Sequence, residues 1–98
     1  MPAIAAENEV TIQNLLAAFE GESNAFAKYI AFAAKADEDG FHGAASLFRA
    51  AGRAEQIHAT NHARVIKQLG GAPHCEIHAI DVGTTLENLK TALSGEQH

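Results

Sequence analysis

The sequence predicts an all-α protein: a long antiparallel helical hairpin followed by the start of a third helix. Three observations predict it. Twenty-one of the 98 residues are alanine and only two are proline, and alanine has the best intrinsic helix propensity. Apolar residues recur at steps of three and four along two long stretches, the period of one helical face. Turn residues interrupt the pattern at "DEDG" (37–40) and "GGAP" (70–73), and nowhere between.

The first helix is expected to open with Thr11 as N-cap. Its stripe is Ile12, Leu15, Leu16, Phe19, Phe26, Ile30 and Ala33. Asp37 to Gly40 end it, with Gly40 as the glycine past the C-cap. Acids oppose the helix dipole there, so the helix should stop at or just before them. Those acids read as a solvated turn. The second helix is expected over about 41–69, with the stripe Ala44, Leu47, Phe48, Ala51, Val65, Ile66 and Leu69. Each helix would be roughly 27 residues or ~40 Å long, and the tight turn makes them antiparallel neighbours. Residues 70–83 read as an irregular connector. Thr84 and Glu87 have capping-box spacing, and Leu86, Leu89, Leu93 and Glu96 form the stripe of a partial third helix over 84–98. "TIQNLLAAFEGES" (11–23) and "TLENLKTALSGEQ" (85–97) align without gaps, with Thr, Asn, Leu, Ala, Gly and Glu in common. The third segment therefore reads as a second copy of the opening of the first, with Glu96 at the place of Glu22.

Composition narrows the function classes. At 98 residues the chain is one domain at most, with a core small enough to need a partner chain or a metal. A formal charge of −5 argues against broad nucleic-acid binding, which needs a basic surface. No apolar run approaches the ~20 residues that span a membrane. "MPAIAAENEV" has no charged n-region and no long apolar run, so no signal peptide is expected. The single cysteine, Cys75, excludes an internal disulfide and any Cys₄ metal site made by one copy. It fits a reducing, cytoplasmic setting.

The chemistry is carried by three side chains. At 100° per residue, Glu22 lies at the edge of the apolar arc of helix one, flanked by Leu15, Phe26 and Tyr29. Glu55, His58 and His62 fall inside the arc of helix two. Counted from Gly40, Glu22 is 18 residues before the turn, Glu55 is 15 after it and His58 is 18 after it. In an antiparallel hairpin those three meet at one level. Bare carboxylates in an apolar interior cost several kcal/mol. Neither Lys28, Lys35, Lys67 or Lys90 nor Arg49, Arg53 or Arg64 falls at the centre of a stripe, so a bound metal is the simpler neutraliser. Glu55 and His58 form Glu-x-x-His, which with a Glu from a neighbouring helix is the half-site of a di-metal carboxylate bundle. Two halves offer four Glu and two His, suited to iron or manganese; zinc would bind but be redox-silent. His62 reads as a packed or supporting group, not a ligand. Tyr29 reads as core with its hydroxyl bonded to a site carboxylate. "HCEIH", with His74, Cys75 and His78, has metal-like residue types but no fourth ligand.

"NLLAAFEGESNAFAKYIAFAAKADEDGF", "RAEQIHATNH" and "VGTTLENLKTALSGE" together resemble the first half of a rubrerythrin of the kind without a rubredoxin domain. The resemblance covers nearly the whole chain. It implies a ferritin-like four-helix bundle holding two iron ions in a non-haem centre. It assigns Glu22 as a terminal ligand, Glu55 as a bridging ligand, His58 as the imidazole ligand and Glu96 as the third-helix counterpart of Glu22, with Tyr29 beside the reaction. The family has a further carboxylate one turn beyond the Glu96 position, then a fourth helix with a second Glu-x-x-His. This sequence reaches neither. The expectation is a bundle completed by a second chain, as a homodimer or hairpin-exchanged oligomer, or by the rest of a longer product.

The function so implied is a di-iron oxidoreductase that reduces hydrogen peroxide to water. Its electrons would come from a separate donor such as a rubredoxin-like protein, because the sequence carries no second cofactor motif. The alternatives are a ferroxidase that uses dioxygen to handle iron, and a non-enzymatic helical dimerising half-domain.

Overall fold

A computed structural model describes residues 2–96, with side chains from 8 to 94. Helix α1 runs Pro2–Glu38, α2 His42–Gln68 and α3 Thr85–Glu96, and the described residues contain no strand. The all-α expectation holds. The two long helices are unequal, however, at 37 and 27 residues. Thr11 is not an N-cap but an exposed residue inside α1. Pro2 stands at the first helical position, where its missing N–H is no loss, and nothing between it and Thr11 breaks a helix.

Both long helices end the same way. Phe41 N–H bonds to the Ala36 carbonyl at 2.8 Å and Gly40 N–H to that of Asp37 at 3.1 Å. Gly71 bonds to Ile66 at 2.9 Å and Gly70 to Lys67 at 3.0 Å. These are two Schellman motifs, which satisfy carbonyls a helix end leaves unpaired. Each places a glycine at positive φ, 86° at Gly40 and 90° at Gly70, where a Cβ would be strained. Helix α1 passes two acids before stopping because their charge is matched. Asp37 meets His42 at 2.8 Å and Arg49 at 2.7 Å, and Lys35 lies 3.9 Å from Glu38 and 3.3 Å from Asp39. The "DEDG" acids are thus a set of clamps, not merely a solvated turn. Hydrogen bonds from His42 and Arg49 hold the Asp37 carboxyl below its usual range.

The core lies near the turn. Tyr29, Phe32, Ala33 and Ala36 of α1 pack on Ala45 and Phe48 of α2. The Phe48 ring stacks on Tyr29 at 6.3 Å and meets Phe32 edge-on at 5.4 Å. Phe32 and Ala36 lie outside the expected stripe, while Ile30 within it is exposed. Both α2 and α3 cover α1 at this end, so its buried arc turns toward the space between them.

The connector is pinned to α1. The Asn24 side-chain amide donates to the Glu76 carbonyl at 2.9 Å and accepts from His78 N–H at 2.7 Å, while Glu20 accepts from Glu76 N–H at 3.1 Å. The capping box forms as expected: Thr84 N–H donates to Glu87 at 2.9 Å and Glu87 N–H to the Thr84 hydroxyl at 3.2 Å. Hydrogen bonding to the carboxyl by the Thr84 backbone N–H, and then by its side chain, keeps Glu87 low.

Helix α3 then turns its leucines the other way from expectation. Its inward residues are Thr85 and Asn88, 3% and 2% exposed, with Ala92 half-buried. Asn88 closes on the Gly83 backbone at 2.9 and 3.2 Å. Leu86 and Leu93 are each 62% exposed, and Leu47 of α2 is 67% exposed. A hairpin offers α3 only one contact face, and the small and polar edge takes it. The leucines are left bordering an open apolar groove between α2 and α3, where Leu89 and Leu93 face Leu47 and Phe48. Among the described residues, no helix is long and apolar enough to cross a membrane.

Candidate metal centre

Midway along the hairpin α1 and α2 approach closely. A Cβ at Gly52 would lie 3.3 Å from Tyr29 Cβ and 3.4 Å from Ile30 Cδ1, so the absent side chain permits the approach. One turn further along α2 stands Glu55, then His58 on the same face. From α1, Glu22 reaches the same level. One ligand atom each from Glu22, Glu55 and His58 lies within 4.8 Å of the others. It is the one such grouping of three His, Cys, Asp or Glu side chains among the described residues. The count of residues from the turn therefore places all three where they meet.

His62 adds a contact that residue counting does not show. Its Nδ1 lies 2.6 Å from Glu22 Oε1, with side chains 35% and 18% exposed. A carboxylate oxygen accepts, so the ring nitrogen donates. Glu22 and Glu55 are half-buried, and neither pairs with a lysine or arginine among the described residues. His58 departs from expectation: it is exposed, because its side of α2 is uncovered within one copy.

Glu96 ends α3, and its side chain lies outside the described residues. The backbone direction can be followed. Helix α3 leaves the turn beside Asp39, and its Ala92 and Leu93 line a groove with Tyr29 and Ala51. Helix α3 thus runs in the same sense as α2, toward the level of Glu55. Tyr29 sits two turns along α1 from Glu22, in the core against Phe48. In the connector, His74 and His78 are exposed and Cys75 is half-buried. They form no grouping of three with other ligand-type residues among those described.

The donor set suits a metal. Two carboxylates and an imidazole are hard-to-intermediate donors that fit divalent iron or manganese. Nitrogen and oxygen ligands sit ~2.1 Å from such an ion, so opposed donors on one ion are ~4.2 Å apart. A spread of up to 4.8 Å fits donors shared over one or two ions with small side-chain rotations. Two carboxylates without a cationic partner also supply the negative charge that a divalent ion neutralises.

Comparison with known proteins agrees. The family profile described as Rubrerythrin matches residues 13–98. Rubrerythrin-2 of Clostridium acetobutylicum is 31% identical over 99 residues, covering 94% of this chain and 50% of that protein. Nigerythrin of Nitratidesulfovibrio vulgaris is 52% identical over 48 residues, covering 49% of this chain and 24% of that protein. The chain thus spans half the length of the first relative, and the match to the second covers a quarter of it. No solved structure matches the chain.

Proposed function

Since this chain belongs to the rubrerythrin family, we propose that its hairpin forms half of a non-haem di-iron centre that reduces hydrogen peroxide to water. The observation that carries the proposal is the convergence of Glu22, Glu55 and His58 within 4.8 Å. Glu22 would be a terminal ligand, Glu55 a bridge and His58 the nitrogen donor. Two ferrous ions, when bound, supply the two electrons that turn one peroxide and two protons into two waters. The chain's own residues do the rest. The carboxylates of Glu22 and Glu55 balance the metal charge, which rises as electrons leave. The neutral ring of His58 adds a donor without adding charge. The Tyr29 hydroxyl and a site carboxyl are the proposed proton holders. Electrons would return from a separate donor protein, since Glu22, Glu55 and His58 form the one cluster of such ligand residues among those described.

A second copy completes the bundle in this proposal. One hairpin offers three donors, and a di-metal site of this type uses four Glu and two His. The groove bordered by Leu47, Leu89 and Leu93 is an apolar seat beside that level.

Anaerobic ferrous loading followed by stopped-flow oxidation tests the reading. Two irons per pair of chains, oxidised fast by peroxide and slowly by dioxygen, is the expected result. The reverse order of oxidants would make the protein a ferroxidase. Failure to retain iron would leave a helical association domain.

A further inference from the structure

Among the described residues, Glu22 is the one site carboxylate held by a side chain from the opposite helix. His62 Nδ1 stands 2.6 Å from its Oε1, shorter than an ordinary N–H···O bond. Both side chains are mostly shielded from water, at 35% and 18% exposure, so solvent competes weakly for the contact. His62 lies one turn beyond His58 on α2 and is not among the three residues whose ligand atoms converge. Its hydrogen bond to the site, among the described residues, runs to Glu22.

We propose that His62 is a positioning residue: its Nδ1–H fixes Oε1 of Glu22 and leaves Oε2 as the oxygen that ligates metal. This rests on the di-metal reading above. A flexible carboxylate loses rotamer freedom when it ligates, and a group held beforehand loses less. An imidazole does this with a single N–H, which leaves the other carboxylate oxygen to the metal. A lysine or arginine at the same place would neutralise Glu22 and compete with the metal for it. Outer partners of this kind are worth about 10–100-fold in metal affinity. The bond also links α1 to α2 at the level of the site, so the register that brings Glu22 to Glu55 is held by the same contact.

The test uses cobalt(II) as the probe, titrated into the intact protein against a competing chelator. His62→Phe keeps the ring and removes the donor; His62→Gln keeps a donor. The phenylalanine variant should bind cobalt about 10–100-fold more weakly at unchanged stoichiometry, and glutamine should recover most of the loss. In the metal-free wild type, nitrogen NMR should find His62 as the Nδ1–H tautomer, and Glu22→Ala should remove that preference. Wild-type affinity in His62→Phe would overturn the proposal alone. So would a drop in stoichiometry in both variants, which makes His62 a ligand, or an Nε2–H tautomer in the metal-free protein. A wild type that takes up no cobalt would overturn the di-metal reading and this proposal together.

Discussion

The Asp39 carboxylate accepts the Thr85 hydroxyl at 2.9 Å, fastening the first turn of α3 to the end of α1. Lys35, 3.3 Å away, adds a cation from the preceding turn. The Thr85 bond is the main cause that holds the Asp39 carboxyl below its ordinary value, and Lys35 adds to it. A carboxyl lowered in the folded state stabilises that state above its unfolded value, about 3.9, and ceases to as pH falls through the folded value. Helix α3 should therefore stay docked at neutral pH and detach first on acidification below about pH 4. Hydrogen exchange should show residues 86–93 losing protection before 44–66. Asp39→Ala should produce the same loss at pH 7.

The capping box makes a separate prediction for the same helix. Thr84→Ala leaves the Glu87 N–H without its hydroxyl acceptor and should cost α3 about 1 kcal/mol. At 12 residues the helix is too short to be stable alone, so circular dichroism should show reduced helicity with the long hairpin intact.

Gly52 sets the spacing of the helices below the site. Alanine there would sit 3.3 Å from Tyr29 Cβ, and its gain in helix propensity roughly offsets the crowding. Valine should force the helices apart and cost about 1–3 kcal/mol in urea denaturation. It should also weaken cobalt binding, because Glu22 and Glu55 are on opposite helices one to two turns away.

Glu55 is the residue whose loss should end metal binding if it bridges. Glu55→Ala should retain wild-type helicity, since Glu55 makes no ion pair among the described residues. Its iron content after anaerobic loading should fall to background. Unchanged stoichiometry would remove the bridging assignment.

The exposed leucines test the second copy. Leu47→Ser with Leu93→Ser removes two side chains that are 67% and 62% exposed in one copy, so the isolated fold should persist. If another copy covers them, analytical ultracentrifugation should show the wild-type dimer replaced by monomer. Iron stoichiometry should fall with it.

Much of this arrangement was legible in the sequence because it is local or periodic. Gly40 and Gly70 end helices through backbone bonds a few residues long. Thr84 and Glu87 close a capping box three residues apart. Glu22, Glu55 and His58 could be brought to one level by counting from the turn, since two straight helices and a tight link leave the register little freedom. The start of α1 is not legible from Thr11, because a residue with cap chemistry need not cap when a good helical segment precedes it. The clamps by Asn24 and Glu20 on the connector left no signal beyond their spacing of one turn. Their partners are backbone groups of residues 76 and 78, and any connector sequence has those.

The hairpin, its two stops and the level at which Glu22, Glu55 and His58 converge can all be read from the residues in order. Each follows from helical periodicity and the position of one turn. Which edge of α3 faces inward, the grip of His62 on Glu22 and the anchoring of Thr85 by Asp39 emerge only when the helices pack. A helix with leucines on one side and Thr85, Asn88 and Ala92 on another can bury either. The choice depends on which neighbours are present and where the connector delivers the chain. Within one copy, hydrogen bonds to Asp39 and Gly83 take the polar edge and leave the leucines for another surface.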